Sequence, residues 1–388
     1  CLSFMTDPQL GAAALKVEAG TAAIWAFINN PGDCRFLQSI KTFAASRQFS
    51  STHVHGRRQR FEDLMEIFTR RMMFYAGDGW PGDIERIVVG RPVRFAGASP
   101  DEELAVARYT EALSRFGFPQ VRLVLEPVAA AHYFAQTLDS DTAVLVADFG
   151  GGTTDYSIIL FEWHAGRIKA NPLAHAGVGV AGDMFDYRII DRVVSPLVGK
   201  GSHYRSFGKR LAVPASYYAN FARWNQLSIF RTLPDFAELE KLVRLSEEPA
   251  KLERFVDLIE NDEGYPLYQA VSRTKFALSD AEEAEFHFPP LGDDCRRLVR
   301  RSEFETWIAP DLARMAAALD EVLAAANMDE REIGKVFLTG GTSFVPAVRT
   351  LFENRFDVHR VESGGELLSI AHGLALIGDQ DEGGQWLG

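Results

Sequence analysis

The chain has 388 residues, 47% of them hydrophobic and 24% charged, the balance of an ordinary globular protein rather than a disordered or fibrous one, and its length suits two to three domains. Its 41 lysines and arginines against 53 aspartates and glutamates leave a net charge of −12, which disfavours nucleic acid as a partner. Three scattered cysteines, Cys1, Cys34 and Cys295, exclude a disulfide scaffold and a cysteine metal site; with no apolar run long enough for a membrane and no signal peptide, a cytoplasmic location is expected.

In chain order, residues ~35–80 read as a mostly helical, charged stretch. The basic cluster Arg57, Arg58 and Arg60 reads as a solvated helix face, and His53 and His55 as a solvated loop pair. Trp80-Pro81-Gly82 marks a turn. Ile87–Gly90 is a buried-strand candidate. Ser99 fits the N-cap of a helix running to about Arg115, with Pro100 in its first turn, Glu102 completing a capping box and Gly117 stopping it. A strand at Val121–Leu125 and an alanine-rich helix from Pro127 follow. Thr142–Asp148 and Tyr156–Phe161 are strands joined by a glycine turn. Residues ~190–275 read as helical, punctuated by Pro214, Pro234 and Pro249. Arg296, Arg297, Arg300 and Arg301 read as a second solvated helix face. Leu312, Met315, Leu319 and Leu323 have helical spacing, and Val336–Thr339 is a strand ending in Gly340-Gly341. This alternation of strands and helices predicts an α/β architecture.

The richest segment is Asp148-Phe149-Gly150-Gly151-Gly152-Thr153-Thr154-Asp155. Three glycines between two strands allow positive φ and bring backbone N–H groups close to a ligand, as a phosphate cradle requires. Asp148 at the strand end, Thr153 and Asp155 add the oxygen atoms that suit magnesium. No lysine follows the glycines as in a Walker loop, and they open no helix as in a dinucleotide fingerprint. Gly340-Gly341-Thr342-Ser343, between a strand and a helix, is a second candidate anion site. Paired with the first, it suggests two sides of a nucleotide cleft.

These residues resemble the actin-like ATPases, in the form used by the DnaK-type seventy-kilodalton heat-shock chaperones. The glycine turn looks like their second phosphate motif. In the same order as in that family, Ser39–Phe43 resembles the strip with the catalytic lysine, and Leu125–Ala131 the connection between lobes. Val180–Asp186 resembles the Gly-Gly-Glu-Asp-Phe-Asp stretch and Leu338–Pro346 the adenosine motif. Within that family the motifs look most like the YegD-like branch, which has an ATPase body without a peptide-binding domain. The resemblance implies an α/β, two-lobed fold with duplicated ribonuclease-H-like cores. Residues 1–34, 85–140 and 362–380 would form the core of lobe I, with a helical insertion at 35–84. Residues 141–189 and 290–361 would form that of lobe II, with a helical insertion at 190–289 and a tail at 381–388. A last helix is expected at roughly Glu366–Ile377.

By the same resemblance the protein binds ATP or ADP with Mg2+ held by Asp148 and Asp155. Lys41, Glu126, Thr153 and Asp155 would serve hydrolysis. Gly150, Gly151, Gly152, Thr153, Gly182, Asp183, Lys275, Phe276, Gly340, Gly341, Thr342 and Phe344 would line the nucleotide. The family's Glu-x-x-Lys-Arg pattern becomes Ser272, Lys275 and Phe276, and a second adenine-facing arginine becomes Phe344. The two rings suggest a stacking clamp on the base, against the alternative of two core phenylalanines. The family's first phosphate turn, Asp-x-Gly-Thr, has only the echo Val17–Ala22, which follows alanine-rich sequence and lies too near Lys41. The start at Cys1 rather than Met favours N-terminal strands lying upstream. The residues after Pro346 finish the ATPase body without room for a peptide-binding domain. An ATP-hydrolysing, chaperone-like protein is therefore expected, with an unknown client. The alternatives are a nucleotide-binding interaction module with little hydrolysis, or a small-molecule kinase, for which no substrate base can be named.

Overall fold

The computed structural model describes residues 1–6, 15–30, 34–79, 84, 86–93, 95, 100–118, 120–136, 138, 140–164, 167–219, 221, 227, 230–231, 233–261, 263–363 and 368–379. The chain divides into two compact units. One comprises Cys1–Asp141, Ile159–Pro172 and Leu368–Gly388; the other comprises Thr142–Ile158 and Leu173–Leu367.

In the first unit, β1 (Leu2–Thr6) lies between β2 (Leu15–Ala19) and β3 (Cys34–Leu37), antiparallel to both. Leu2 and Phe4 of β1 pack with Leu37, Ile40, Val54 and Leu64 in one core cluster. The hairpin β4 (Thr52–Val54) and β5 (Arg57–Gln59) leads into the helix Phe61–Ala76. That helix starts where the Asp63 carboxylate accepts a hydrogen bond from the Arg60 N–H at 2.7 Å. β6 (Arg86–Arg91) and β7 (Gln120–Leu125) pair in parallel, connected through the helix Glu102–Ser114. The helix Glu126–Ala135 leaves β7 directly and packs so closely on Ser369–Asp379 that a Cβ on Gly373 would lie 1.7 Å from the Ala129 carbonyl oxygen.

In the second unit, the glycine turn joins β8 (Thr142–Phe149) to the start of β9 (Thr154–His164), and the end of β10 (Arg167–Val178) follows, the far part of that hairpin being counted with the first unit. The hairpin β11 (His203–Ser206)–β12 (Lys209–Ala212) and the pair β13 (Glu283–His287)–β14 (Arg296–Arg300) are separate ribbons. With β15 (Lys335–Thr339) and β16 (Val361–Ser363), the main sheet has the order β10-β9-β8-β15-β16. Val144, Leu145, Val146 and Ala147 are fully buried, as befits a strand in the interior of a sheet covered on both faces. The long helix Arg301–Ala326 is tied down by Arg188, whose Nε donates to Asp311 at 2.8 Å.

Several expectations need correction. The stretch 35–84 holds the strands β4 and β5 beside one long helix, and 190–289 holds β11, β12 and β13 among its helices. Arg57 and Arg58 lie on β5 and Arg60 precedes the helix, while Arg296, Arg297 and Arg300 belong to β14, so neither basic cluster is a helix face. Asp101 caps the helix Glu102–Ser114, accepting from the Leu104 N–H at 3.0 Å; Ser99 lies outside the described residues, as do Trp80-Pro81-Gly82 and the tail 381–388. Val17–Ala19 does end a strand, contrary to expectation, but Gly20-Thr21 then opens the helix Gly20–Asn29 rather than turning into a second strand. The last helix is Ser369–Asp379.

Candidate functional site

The glycine turn is positioned by strand register. β8 and β15 run parallel with Asp148 opposite Thr339, so the turn after Phe149 and the bend at Gly340 leave the sheet side by side. Gly340 has φ +86°, and a Cβ there would stand 2.0 Å from the Phe149 carbonyl oxygen. No other residue type fits without forcing the two strand ends apart. Gly150, Gly151 and Gly152 are exposed, and none has positive φ, contrary to expectation. Their use is space. The Gly150 N–H closes the turn on the Thr153 carbonyl at 2.9 Å, and Gly151 lies against the Asp183 carboxylate, 3.3 Å from where its Cβ would stand.

Around this turn the second unit gathers most of the expected residues. Asp148 is half-buried at the end of β8. Thr153 Oγ1 donates to the buried Asp155 at 3.0 Å, and Asp155 fits because Gly177 carries no side chain: a Cβ there would be 2.7 Å away. The Asp183 N–H donates to the Gly151 carbonyl at 2.8 Å, docking the helix Gly182–Ile189 on the turn. Gly182 is the meeting point of two further elements. A Cβ there would lie 3.1 Å from Thr342 Oγ1 and 3.3 Å from Lys275 Nζ, which brings the 3-10 turn Gly341–Phe344 and the helix Gly264–Asp280 to it. Phe276 and Phe344, on those two elements, are 63% and 49% exposed, so neither is a core residue.

Two neighbours were not expected as site residues. Lys275 Nζ is 2.9 Å from Asp186 Oδ1, and the Tyr268 hydroxyl donates to Asp183 at 3.4 Å. Burial pushes the Asp186 carboxyl up to about 6 and Asp183 adds to this, while Lys275 opposes it. Burial raises the Tyr268 phenol as well, with the charges of Asp186 and Asp183 acting in the same direction. The helical spacing of Tyr268 from Lys275, two turns apart on one face, was the signal available for Tyr268.

The first unit holds the remaining pair. Lys41 sits in the 3-10 turn Ile40–Phe43 and its Nζ is 2.5 Å from Glu126 Oε1. Lys41 is 57% exposed and Glu126 19%. Glu126 opens its helix immediately after β7, where a carboxylate is stabilised by the helix end. Gly90 in β6 gives its side chain room: a Cβ there would stand 3.0 Å from Glu126 Cγ.

Among the described residues no group of three or more His, Cys, Asp or Glu is arranged to hold a metal by itself, and no helix is long and apolar enough to cross a membrane. His55 hydrogen-bonds through Nε2 to the Phe4 carbonyl at 3.1 Å.

The glycine turn that joins β8 to β9 and the Gly340-Gly341 bend that leaves β15 thus stand side by side at one end of the sheet. The Hsp70 protein family matches residues 105–202 and 240–383, more than half of the chain, and the chain belongs to that family. It is 24% identical over 317 residues to the chaperone protein HscA of Proteus mirabilis, covering 82% of this chain and 40% of that protein. It is also 23% and 24% identical over 280 residues to the chaperone protein DnaK of Deinococcus deserti and of Deinococcus radiodurans, covering 70% of this chain and 36% of each. The chain thus spans about two-fifths of the length of these curated relatives.

Proposed function

We propose that the protein binds ATP or ADP and hydrolyses ATP, as a chaperone-like member of the Hsp70 family on a two-lobed actin-like ATPase fold. Its motifs resemble most the YegD-like branch. The observation that supports this best is the junction of the glycine turn with Gly340, locked by the β8–β15 register. The donors beside the turn, Asp148, Asp155 and the Thr153 hydroxyl, are all oxygen. They fit magnesium, which takes one or two carboxylates together with water and substrate phosphate. Asp148 and Asp155 would hold it, and when bound it supplies neutralisation of phosphate charge.

The remaining roles belong to the chain itself. Gly151 and Gly152 offer exposed backbone to the phosphates, while the Gly150 N–H is kept by the turn. The family resemblance assigns Lys41 to the γ-phosphate and the attacking water, a role for which it would give up its pairing with Glu126. Glu126 then stands ready to order water. Thr153 hands its hydroxyl proton to Asp155 in a hydrogen bond, which leaves its oxygen lone pairs free to position that water. Gly182, Asp183, Lys275, Gly341 and Thr342 line the nucleoside, and the exposed rings of Phe276 and Phe344 stack on the base, a contact worth about 1–3 kcal/mol per base.

Phosphate release measured on the protein tests this: Lys41→Ala or Asp148→Ala cuts turnover to a small residual rate if the reading is right. A second reading, a binding module with little hydrolysis, is favoured by one contact. Lys41 is already paired with Glu126 at 2.5 Å. Retained nucleotide binding with no turnover in the unmutated protein establishes it. With Ser272 in place of a charged hydrogen-bonding residue, affinity is weaker than nanomolar, which calorimetry checks.

A further inference from the structure

Arg108 stands in the middle of the helix Glu102–Ser114, is 12% exposed, and faces the loop that follows Lys41. Its Nη1 donates to the carbonyls of Phe43 at 2.7 Å, Ala44 at 3.0 Å and Ser46 at 3.1 Å. Its Nη2 donates to the Phe49 carbonyl at 2.7 Å. Its Nε lies 3.7 Å from the buried carboxylate of Glu62, at the start of the helix Phe61–Ala76. One guanidinium therefore gathers four backbone carbonyls from one loop and a carboxylate from a second segment. Only the planar, multiply donating fork of arginine can do this.

The held loop follows directly on the 3-10 turn that carries Lys41. The Ala44 N–H donates to the Lys41 carbonyl at 3.1 Å, and the Ala44 carbonyl is one of the four that Arg108 grips. Two further fastenings act on the same loop: the Asp101 N–H donates to the Ala45 carbonyl at 3.0 Å, and Arg47 Nε donates to Asp101 at 2.5 Å. Ile40, Ala44 and Ala45 are buried, and the rings of Phe43 and Phe49 stack at 4.3 Å. Apolar packing alone would fill this space. A buried charge needs hydrogen bonds and a counter-charge to offset its lost hydration. In return it fixes the carbonyl directions, and with them the path of the backbone at Lys41.

We infer that Arg108 is a positioning residue for Lys41, holding the 43–49 loop so that the ammonium is presented in one place. The inference rests on the reading of Lys41 given above, and its test separates the two.

Turnover and nucleotide Kd are measured for Arg108→Lys, Lys41→Ala and the double variant, together with the rate at which an acylating reagent labels Lys41. Arg108→Lys is expected to lower kcat about ten- to hundredfold, the cost of a misplacement of about 1 Å, with the Kd for ADP changed less than about twofold. On top of Lys41→Ala, Arg108→Lys should cost nothing further, because a residue that acts only through Lys41 has nothing left to position. Free guanidinium should restore part of the activity of Arg108→Ala. Lys41 labelling should rise at least about threefold in Arg108→Lys, since a released lysine leaves its carboxylate partner more often. That readout needs no turnover and holds even if the protein hydrolyses nothing. Lys41 labelling unchanged in a folded Arg108→Lys variant overturns the inference, and so does full additivity in the double variant. If Lys41→Ala leaves turnover intact, the reading of Lys41 fails and the inference falls with it.

Discussion

The two units hold their candidate residues in place by different means. In the second, the backbone does the work: Asp148 opposite Thr339, Gly340 against the Phe149 carbonyl, and the Asp183 N–H on the Gly151 carbonyl fix the turn with no long side chain involved. In the first, Lys41, Glu126 and Arg108 are joined by flexible side chains from distant parts of the chain. Backbone geometry is stiff because strand register and φ/ψ admit few alternatives. Side-chain clamps adapt, so the same small change should be severe in one unit and mild in the other.

The largest effect is expected at Gly340. Gly340→Ala puts a Cβ 2.0 Å from a backbone oxygen at φ +86°, and neither the atom nor the dihedral can yield cheaply. A loss of about 3–5 kcal/mol is expected, at the severe end of single substitutions. It is read as a fall in the urea midpoint at unchanged slope, together with loss of nucleotide binding. A variant that binds nucleotide as well as the unmutated protein removes the claim that this junction builds the site.

A smaller effect separates the units by pH. In the first unit burial raises Glu18, Asp63 and Glu66, but it is outweighed. Hydrogen bonds from Tyr75 and Arg71 at Glu18, and from Arg115 at the other two, leave all three carboxyls below their ordinary values. Their stabilisation is present above the unfolded values and is lost as pH falls through the folded ones. Asp186 in the second unit is the reverse. Burial, helped by Asp183 and opposed by Lys275 and the Tyr268 hydroxyl, lifts it from 3.8 to about 6. Its contribution is fully present below 3.8 and is lost as pH rises through about 6. The stability of the unmutated protein relative to Asp186→Asn should therefore fall as pH is raised from about 4 to about 6, in urea titrations at fixed salt. A difference that stays flat across that window sinks the assignment.

The same contrast explains what could be read from the amino-acid order. The apolar run of β8, the three glycines and the Gly340-Gly341 bend are contiguous, and their chemistry is local, so the second unit's turn was legible. The exposure of Phe276 and Phe344 was not, because a phenylalanine on a helix or bend carries no mark of which way it faces. Asp186 passed unnoticed because its raised carboxyl comes from burial, which the sequence does not display. Arg108 reaches carbonyls 59 to 65 positions away, and such a contact leaves no periodic trace. The two basic clusters misled for a related reason: arginines on β5 and β14 have the same composition as arginines on a helix face.

The smallest effect is the sharpest comparison, because it repeats the first substitution where the neighbour is soft. Gly90→Ala in β6 places a Cβ 3.0 Å from Glu126 Cγ and 3.5 Å from Leu374 Cδ1, both side-chain atoms that can swing away. An alanine within a strand recovers about 0.5–1 kcal/mol of the backbone entropy that glycine gives up, which offsets the crowding. The urea midpoint should move by no more than about 0.5 kcal/mol equivalent, within the range of tolerated substitutions. What should move is Glu126: displaced, it loosens its pairing with Lys41, and labelling of the lysine quickens while nucleotide affinity holds. If Gly90→Ala destabilises as strongly as Gly340→Ala, the first unit is as rigidly built as the second. The adaptable clamp would then have to be replaced by a second backbone-fixed junction at the β6–β7 end.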